Sequence, residues 1–190
     1  MRSSPGSGAA SPAWTACACT ARRPAGPVRA VSLGRTSPAK GYETIARAAT
    51  LAGVELDVYG PSSTAEERAE RDRLVALGVR MHDAVPYSEV PALLARHDVL
   101  VNNMREGALD KIVYEAAATC MPVLASNTGF DDLLPPGLRF AREDPDDLAA
   151  RLRTLSAMDR DALGRELRAH VEARHSAGRW ADRVLEVAGR

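Results

Sequence analysis

Two loops of this chain carry residues that could handle an anion. The first sets Arg35 and Lys40 on either side of Thr36, Ser37, Pro38 and Ala39. Two cations so spaced could clamp a diphosphate, arginine through its planar fork and lysine as a point charge. The plainer alternative is a pair of solvent-facing cations. The second loop leaves an apolar run at Asn102 and reaches a helical stretch through Glu106, Gly107, Ala108, Leu109, Asp110 and Lys111. If the chain enters that helix through Gly107, the first amides lack partners and sit at the positive end of the helix dipole, which makes an anion site. Glu115 follows on the same helix. A carboxylate turned inward there needs a partner, because an unpaired buried charge is expensive. Asp110 and Lys111 could form an ion pair at the sheet edge or contact the ligand.

These loops need elements to hold them. Residues 28–33 (VRAVSL) read as a short buried strand. Residues 42–52 read as a helix with Ile45, Ala46, Ala49 and Ala52 on one face, stopped by Gly53. Residues 54–59 alternate as a strand does, and Gly60 opens the loop after it. Thr64 with Glu67 forms a capping-box pattern ahead of a helix over 65–77. A brief strand follows at 79–82. Ser88 is positioned to cap a helix at 89–96, and 98–101 (DVLV) is a continuous apolar strand. After the helix carrying Glu115, another strand spans 122–125. A helical turn is expected at 130–134 and a last strand at 138–140. Asp144 and Pro145 begin a helix, Asp159 begins another reaching about 175, and a terminal helix at 177–187 would anchor through Trp180, Val184 and Leu185.

This alternation predicts an α/β fold: a single Rossmann-like, doubly wound parallel sheet with helices on both faces. Ligands bind beyond the carboxyl ends of such strands. Arg35, Gly60 and the loop from Asn102 all fall at that edge. Gly60 could line the ligand pocket or simply connect.

Length and composition bound the rest. The 190 residues suffice for one domain with a core, or a domain plus a tail. Lys+Arg and Asp+Glu are both 25, so no net charge favours nucleic acid or an anionic membrane. No apolar run is long enough to cross a membrane as a helix. Residues 1–26 hold no Asp or Glu and are rich in Ser, Pro, Gly and Ala, so they are expected to be disordered or spurious, with the domain over 27–190. Cys120 is expected as a reduced core residue, and neither Cys17 nor Cys19 has metal-site spacing, which suits a reducing cytoplasm. His82, His97, His170 and His175 show no ligand spacing and are expected at the surface or in caps. Ser62 and Ser63 lack a triad arrangement.

Two separated segments resemble one family. GRTSPAKGYETIARAA, from Gly34, is similar to the start of the C-terminal domain of GT-B glycosyltransferases, especially the retaining family 4 group. DKIVYEAAATCMPVLASN, from Asp110, resembles that family's Glu-Ala helix and following strand. The resemblance covers about residues 28–187. It implies binding of a nucleotide-sugar donor as substrate, with no metal and no other cofactor. Arg35 and Lys40 would hold the diphosphate, the amides of Gly107, Ala108 and Leu109 would meet phosphate, and Glu115 would bind the ribose hydroxyls. Backbone near residues 82–86 would edge the base. No catalytic residue is assigned. Glu106 departs from the family's spacing of two glutamates, because eight residues separate it from Glu115 where seven are usual. GT-B enzymes pair two Rossmann-like domains, so the expectation is a truncated form needing an N-terminal acceptor domain or a partner chain. The alternatives are a non-catalytic nucleotide-binding or regulatory subunit docked on a partner, and a sugar-nucleotide epimerase.

Overall fold

The computed structural model describes Cys19 and residues 28–175. Eleven regular elements of strand or α-helix follow one another among these residues: β1 (Arg29–Leu33), α1 (Tyr42–Ala52), β2 (Glu55–Tyr59), α2 (Ala65–Ala76), β3 (Arg80–His82), α3 (Val90–Leu94), β4 (Val99–Asn102), α4 (Lys111–Ala118), β5 (Val123–Ala125), α5 (Pro145–Ser156) and α6 (Arg160–Arg174). The strands form one parallel sheet in the order β3-β2-β1-β4-β5. The chain builds outward from β1 through β2 to β3, then returns to the other side of β1 for β4. The switch point of the sheet therefore lies between β1 and β4, where Ala30 pairs with Val99 and Val31 with Leu100. In open α/β sheets the crevice for a ligand forms at that point, outside the carboxyl ends of the two strands.

The core follows from the strand compositions. Every residue of β4 and β5 is buried, and so are the middle three of β1 and β2. Such strands are covered on both faces. Helix α1 packs against α5, and α4 against α6. Fully burying each leucine or valine contributes about 1.5–3 kcal/mol, so residues such as Leu93, Leu100, Leu124 and Leu148, all fully buried, carry much of the stability.

Local signals set several boundaries. Thr64 accepts from the Glu67 amide at 3.1 Å while the Glu67 carboxylate accepts from the Thr64 amide at 3.1 Å, completing the capping box. Asp144 accepts from the amides of Asp146 and Asp147, and Asp159 from those of Asp161 and Ala162. Gly53 ends α1 in the left-handed region.

Other expectations change. Ser88 caps nothing: it lies inside a 3-10 turn, Tyr87–Glu89, that runs into the five-residue α3 with Pro91 in its first turn. The expected last strand reduces to one bridge, Ala125 with Arg139, after a 3-10 turn at Pro136–Leu138. Cys120 is buried as expected but is not a free thiol: it is joined to Cys19, with Cα atoms 5.4 Å apart. Cysteine usage therefore no longer argues for a reducing compartment. His97 is buried rather than superficial. Its Nε2 lies 3.2 Å from an Asp57 carboxylate oxygen and its Nδ1 2.9 Å from the Leu93 carbonyl. The terminal helix at 177–187 and all of residues 1–26 except Cys19 lie outside the described residues. Among the described residues no helix is long and apolar enough to cross a membrane.

Candidate functional site

The loop leaving β1 is folded back by short-range geometry. A 3-10 turn at Pro38–Lys40 delivers the chain to Gly41, whose φ of 57° is left-handed, and α1 starts at once. A Cβ on Gly41 would sit 2.2 Å from the Asn103 amide nitrogen, so this loop and the one leaving β4 touch at a residue that must be glycine. Asn103 donates from Nδ2 to the Gly41 carbonyl at 3.2 Å. Tyr42, buried on α1, donates its hydroxyl to the Gly34 carbonyl at 3.1 Å. Burial, and then the nearby charge of Asp110, push that hydroxyl far above the ordinary tyrosine range, so it stays a donor.

Lys40 lies along Gly34. A Cβ on Gly34 would meet the Lys40 Cε at 2.7 Å and Nζ at 2.8 Å. The Nζ donates to Asp110 Oδ2 at 2.5 Å, and both side chains are more than four-fifths buried. Asp110 is also the N-cap of α4: its Oδ1 accepts from the Ile112 amide at 3.4 Å, and its Oδ2 takes a second bond from Asn102 Nδ2 at 3.2 Å. Among the described residues, the Oδ1 atoms of Asn102 and Asn103 are buried without a hydrogen-bond partner. Such groups are uncommon and each disfavours the free form by about 1–3 kcal/mol. They lie at the end of β4, at the switch point.

The structure thus brings Lys40, Asp110, Asn102 and Asn103 together. Arg35 is turned elsewhere, with NH1 donating to Glu67 at 3.1 Å and its side chain 58 % exposed. Burial alone would raise the Glu67 carboxyl, but bonds from the Thr64 and Ser63 amides and from Arg35 hold it below its usual range. Gly60 packs against the same loop: a Cβ there would fall 1.8 Å from the Gly34 carbonyl oxygen.

The anion site expected at Gly107 is displaced. Helix α4 begins at Lys111, not beside Gly107. Gly107 sits in an exposed turn with φ 77°, and the Ala108 amide already donates to the Arg105 carbonyl. The reason is Asp110, whose extended backbone and capping carboxylate start the helix three residues later than Gly107 would. Gly107, Ala108 and Leu109 therefore belong to the approach loop, with Leu109 exposed. Glu106 is pinned to the segment after β5. Its carboxylate accepts from the Thr128 amide at 3.0 Å and hydroxyl at 2.6 Å, and these bonds lower its pKa.

Glu115 lies on α4 with its side chain 15 % exposed. It is not unpartnered. The exposed Tyr87 donates its hydroxyl to it at 2.7 Å, and Lys111 approaches at 3.5 Å while its ammonium lies 4.4 Å from the Tyr87 ring centre. Tyr87, Asn102 and Asn103 escaped the sequence reading as partners. Tyr87 lies in the turn ahead of α3, 28 positions from Glu115, and the two asparagines read only as the end of a strand. Two cavities of about 500 and 450 Å³ open nearby, one against Pro38, Gly41 and Arg73, the other against Glu106, Arg139 and Arg151. Neither is lined by Arg35, Lys40 or Glu115.

The fold is that of the C-terminal domains of GT-B glycosyltransferases. Residues 35–186 match a family model described as glycosyl transferase-like, and the chain belongs to that family. None of the curated proteins matches it in sequence. Among solved structures it is similar to a Rickettsia africae glycosyltransferase (14 % identity, TM-score 0.74, 86 % of this chain and 48 % of that one). It is similar to Anabaena HepE in complex with UDP (18 %, 0.73, 86 % and 49 %). It is also similar to the catalytic domain of Helicobacter pylori cholesterol-alpha-glucosyltransferase (16 %, 0.66, 78 % and 100 %). The chain spans about half the length of the first two.

Proposed function

We propose that this chain is the donor-binding domain of a retaining family 4 glycosyltransferase, holding a nucleoside diphosphate sugar between the loops that leave β1 and β4. The observation that carries the proposal is the Lys40 ammonium, laid over Gly34 at the switch point and already paired with a carboxylate, Asp110, in the N-cap of α4. In this reading Lys40 and Arg35 neutralise the diphosphate, with Arg35 leaving Glu67 to do so. The approach loop that carries Gly107, Ala108 and Leu109 borders the phosphates, with the Ala108 amide kept on the Arg105 carbonyl. Glu115, positioned by Tyr87, takes the ribose hydroxyls, and backbone at residues 82–86 edges the base. Glu106 is held to the segment after β5 by Thr128, and Lys111 supports Glu115.

Transfer produces a nucleoside diphosphate leaving group. Donors fixed in advance around the developing negative charge lower the barrier, which lets cations and backbone amides serve without a metal. HepE carries UDP in its structure, which supports a nucleoside diphosphate as ligand here. The acceptor is assigned to a further domain or partner chain, because the chain spans about half of two of its structural relatives.

Isothermal titration with UDP, GDP and ADP tests the reading, comparing the wild type with the Arg35→Ala, Lys40→Ala double variant. A charged hydrogen bond is worth about 1.5–3 kcal/mol, so each lost cation weakens binding by about ten- to a hundredfold. Equal affinity in both proteins, or no binding by either, rejects it.

A further inference from the structure

At the far end of α6 three side chains converge that the donor site does not use. His170 and His175 lie five residues apart, a spacing that a regular helix would splay. The helix ends at Arg174, and His175 leaves it with φ −120° and ψ 10°. That departure brings the two imidazoles to a ring-centre distance of 5.9 Å, 17° from parallel. Asp132, in the segment after β5, faces them, with its Oδ2 3.0 Å from His175 Nε2. One ligand atom from each of the three lies within 4.8 Å of the others. The His170 Nε2 is buried and has no hydrogen-bond partner among the described residues. Tyr114 of α4 closes one side, its ring 4.7 Å from that of His175.

We propose that His170, His175 and Asp132 form a binding site for a divalent transition metal of zinc type. Imidazole nitrogen with one carboxylate oxygen is a ligand set that suits zinc, copper and nickel over calcium or magnesium. With bonds of about 2.0–2.1 Å, tetrahedral ligand atoms stand about 3.4 Å apart. The Asp132–His175 pair already meets that spacing. The widest pair must close by little more than an ångström, which side-chain rotation in the last turn of a helix supplies. Three protein ligands leave a fourth position for water. The buried His170 nitrogen gains the partner it lacks. The ion would join the end of α6 to the segment after β5. That segment also holds the loop ahead of α4, through Thr128 on Glu106 and through Asn127 Nδ2 on the Arg105 and Ala108 carbonyls.

Titration of the untagged full chain with zinc by calorimetry, and with cobalt(II) by absorption, tests the site. The expected result is one equivalent bound, with visible cobalt bands of nitrogen and oxygen ligation and no thiolate charge-transfer band. Affinity should fall about tenfold or more in His170→Ala and in Asp132→Asn, and stay unchanged in Arg35→Ala. Asp132 is half-exposed, so its variant keeps the test sound should His170→Ala fail to fold. Absence of binding overturns the proposal. So does binding that survives both ligand variants, or that shows cysteine ligation.

Discussion

Replacing Asp110 by asparagine separates the two things this side chain does. As N-cap, Asp110 accepts from the Ile112 amide at 3.4 Å, and asparagine caps about as well, so that contribution is nearly conserved. As counter-ion, it holds Lys40 at 2.5 Å with side-chain exposures of 16 % for Lys40 and 18 % for Asp110. An exposed pair is worth about 0.2–1 kcal/mol, whereas removing one partner of a fully buried pair costs about 3–5 kcal/mol. At this intermediate burial the expected loss is about 2 kcal/mol. Asp110→Ala should lose a further ~0.5 kcal/mol, the low end of the capping range, because the capping bond is long. Urea unfolding of the wild type, Asp110→Asn, Lys40→Met and the double variant forms the cycle, with m required to stay constant. A loss under about 0.5 kcal/mol in Asp110→Asn, or a coupling energy near zero, would refute the view that the switch point is built on this pair.

Three further outcomes are expected. Gly60→Ala puts a methyl 1.8 Å from the Gly34 carbonyl oxygen, so it should destabilise by at least about 1–3 kcal/mol in urea unfolding and disturb the Lys40 loop. Stability should decline as pH falls below about 6.5, because burial pushes the His97 imidazole down against the opposing pull of the Leu93 carbonyl and Asp57. The folded form resists the proton that the unfolded chain accepts, so this contribution is intact above 6.5 and drains below it; urea midpoints at pH 7.5 and 5.5 measure it. Under the proposed function, Glu115→Gln should weaken nucleoside diphosphate binding about tenfold while leaving thermal unfolding within a few degrees, both readable on one preparation.

Asp57 shows how charge is managed at the other end of the sheet. Its burial favours the neutral acid, yet hydrogen bonds from Arg80 and His82, with the Arg80 charge, hold the carboxyl well below the usual range. Arg80 donates to it twice, at 2.9 and 2.7 Å, and His82 Nε2 lies 2.6 Å away. The pairing across β2 and β3 makes this charge tolerable, and its contribution, full above the ordinary carboxylate range, is lost progressively as pH falls through that range toward the lowered folded value.

Much was legible before the fold was known, where a signal acts within a few residues. The apolar face of α1 and its Gly53 stop, the Thr64 capping box, and the Asp144 and Asp159 caps all stand where the residues placed them. Each depends on hydrogen bonds closed within one helical turn. Lys40 and Asp110 were both visible as candidates, but their contact spans 70 positions and no local pattern encodes it. Gly107 and Asp110 are both plausible openings for α4, and the helix starts after Asp110, whose side chain caps it while also meeting Lys40 and Asn102. His97 reached Asp57 across 40 positions, and Cys19 reached Cys120 across 101. The order of strands likewise follows from burying two faces of one sheet at once. By returning β4 to the free side of β1, that order set two distant loops edge to edge and made a crevice of them.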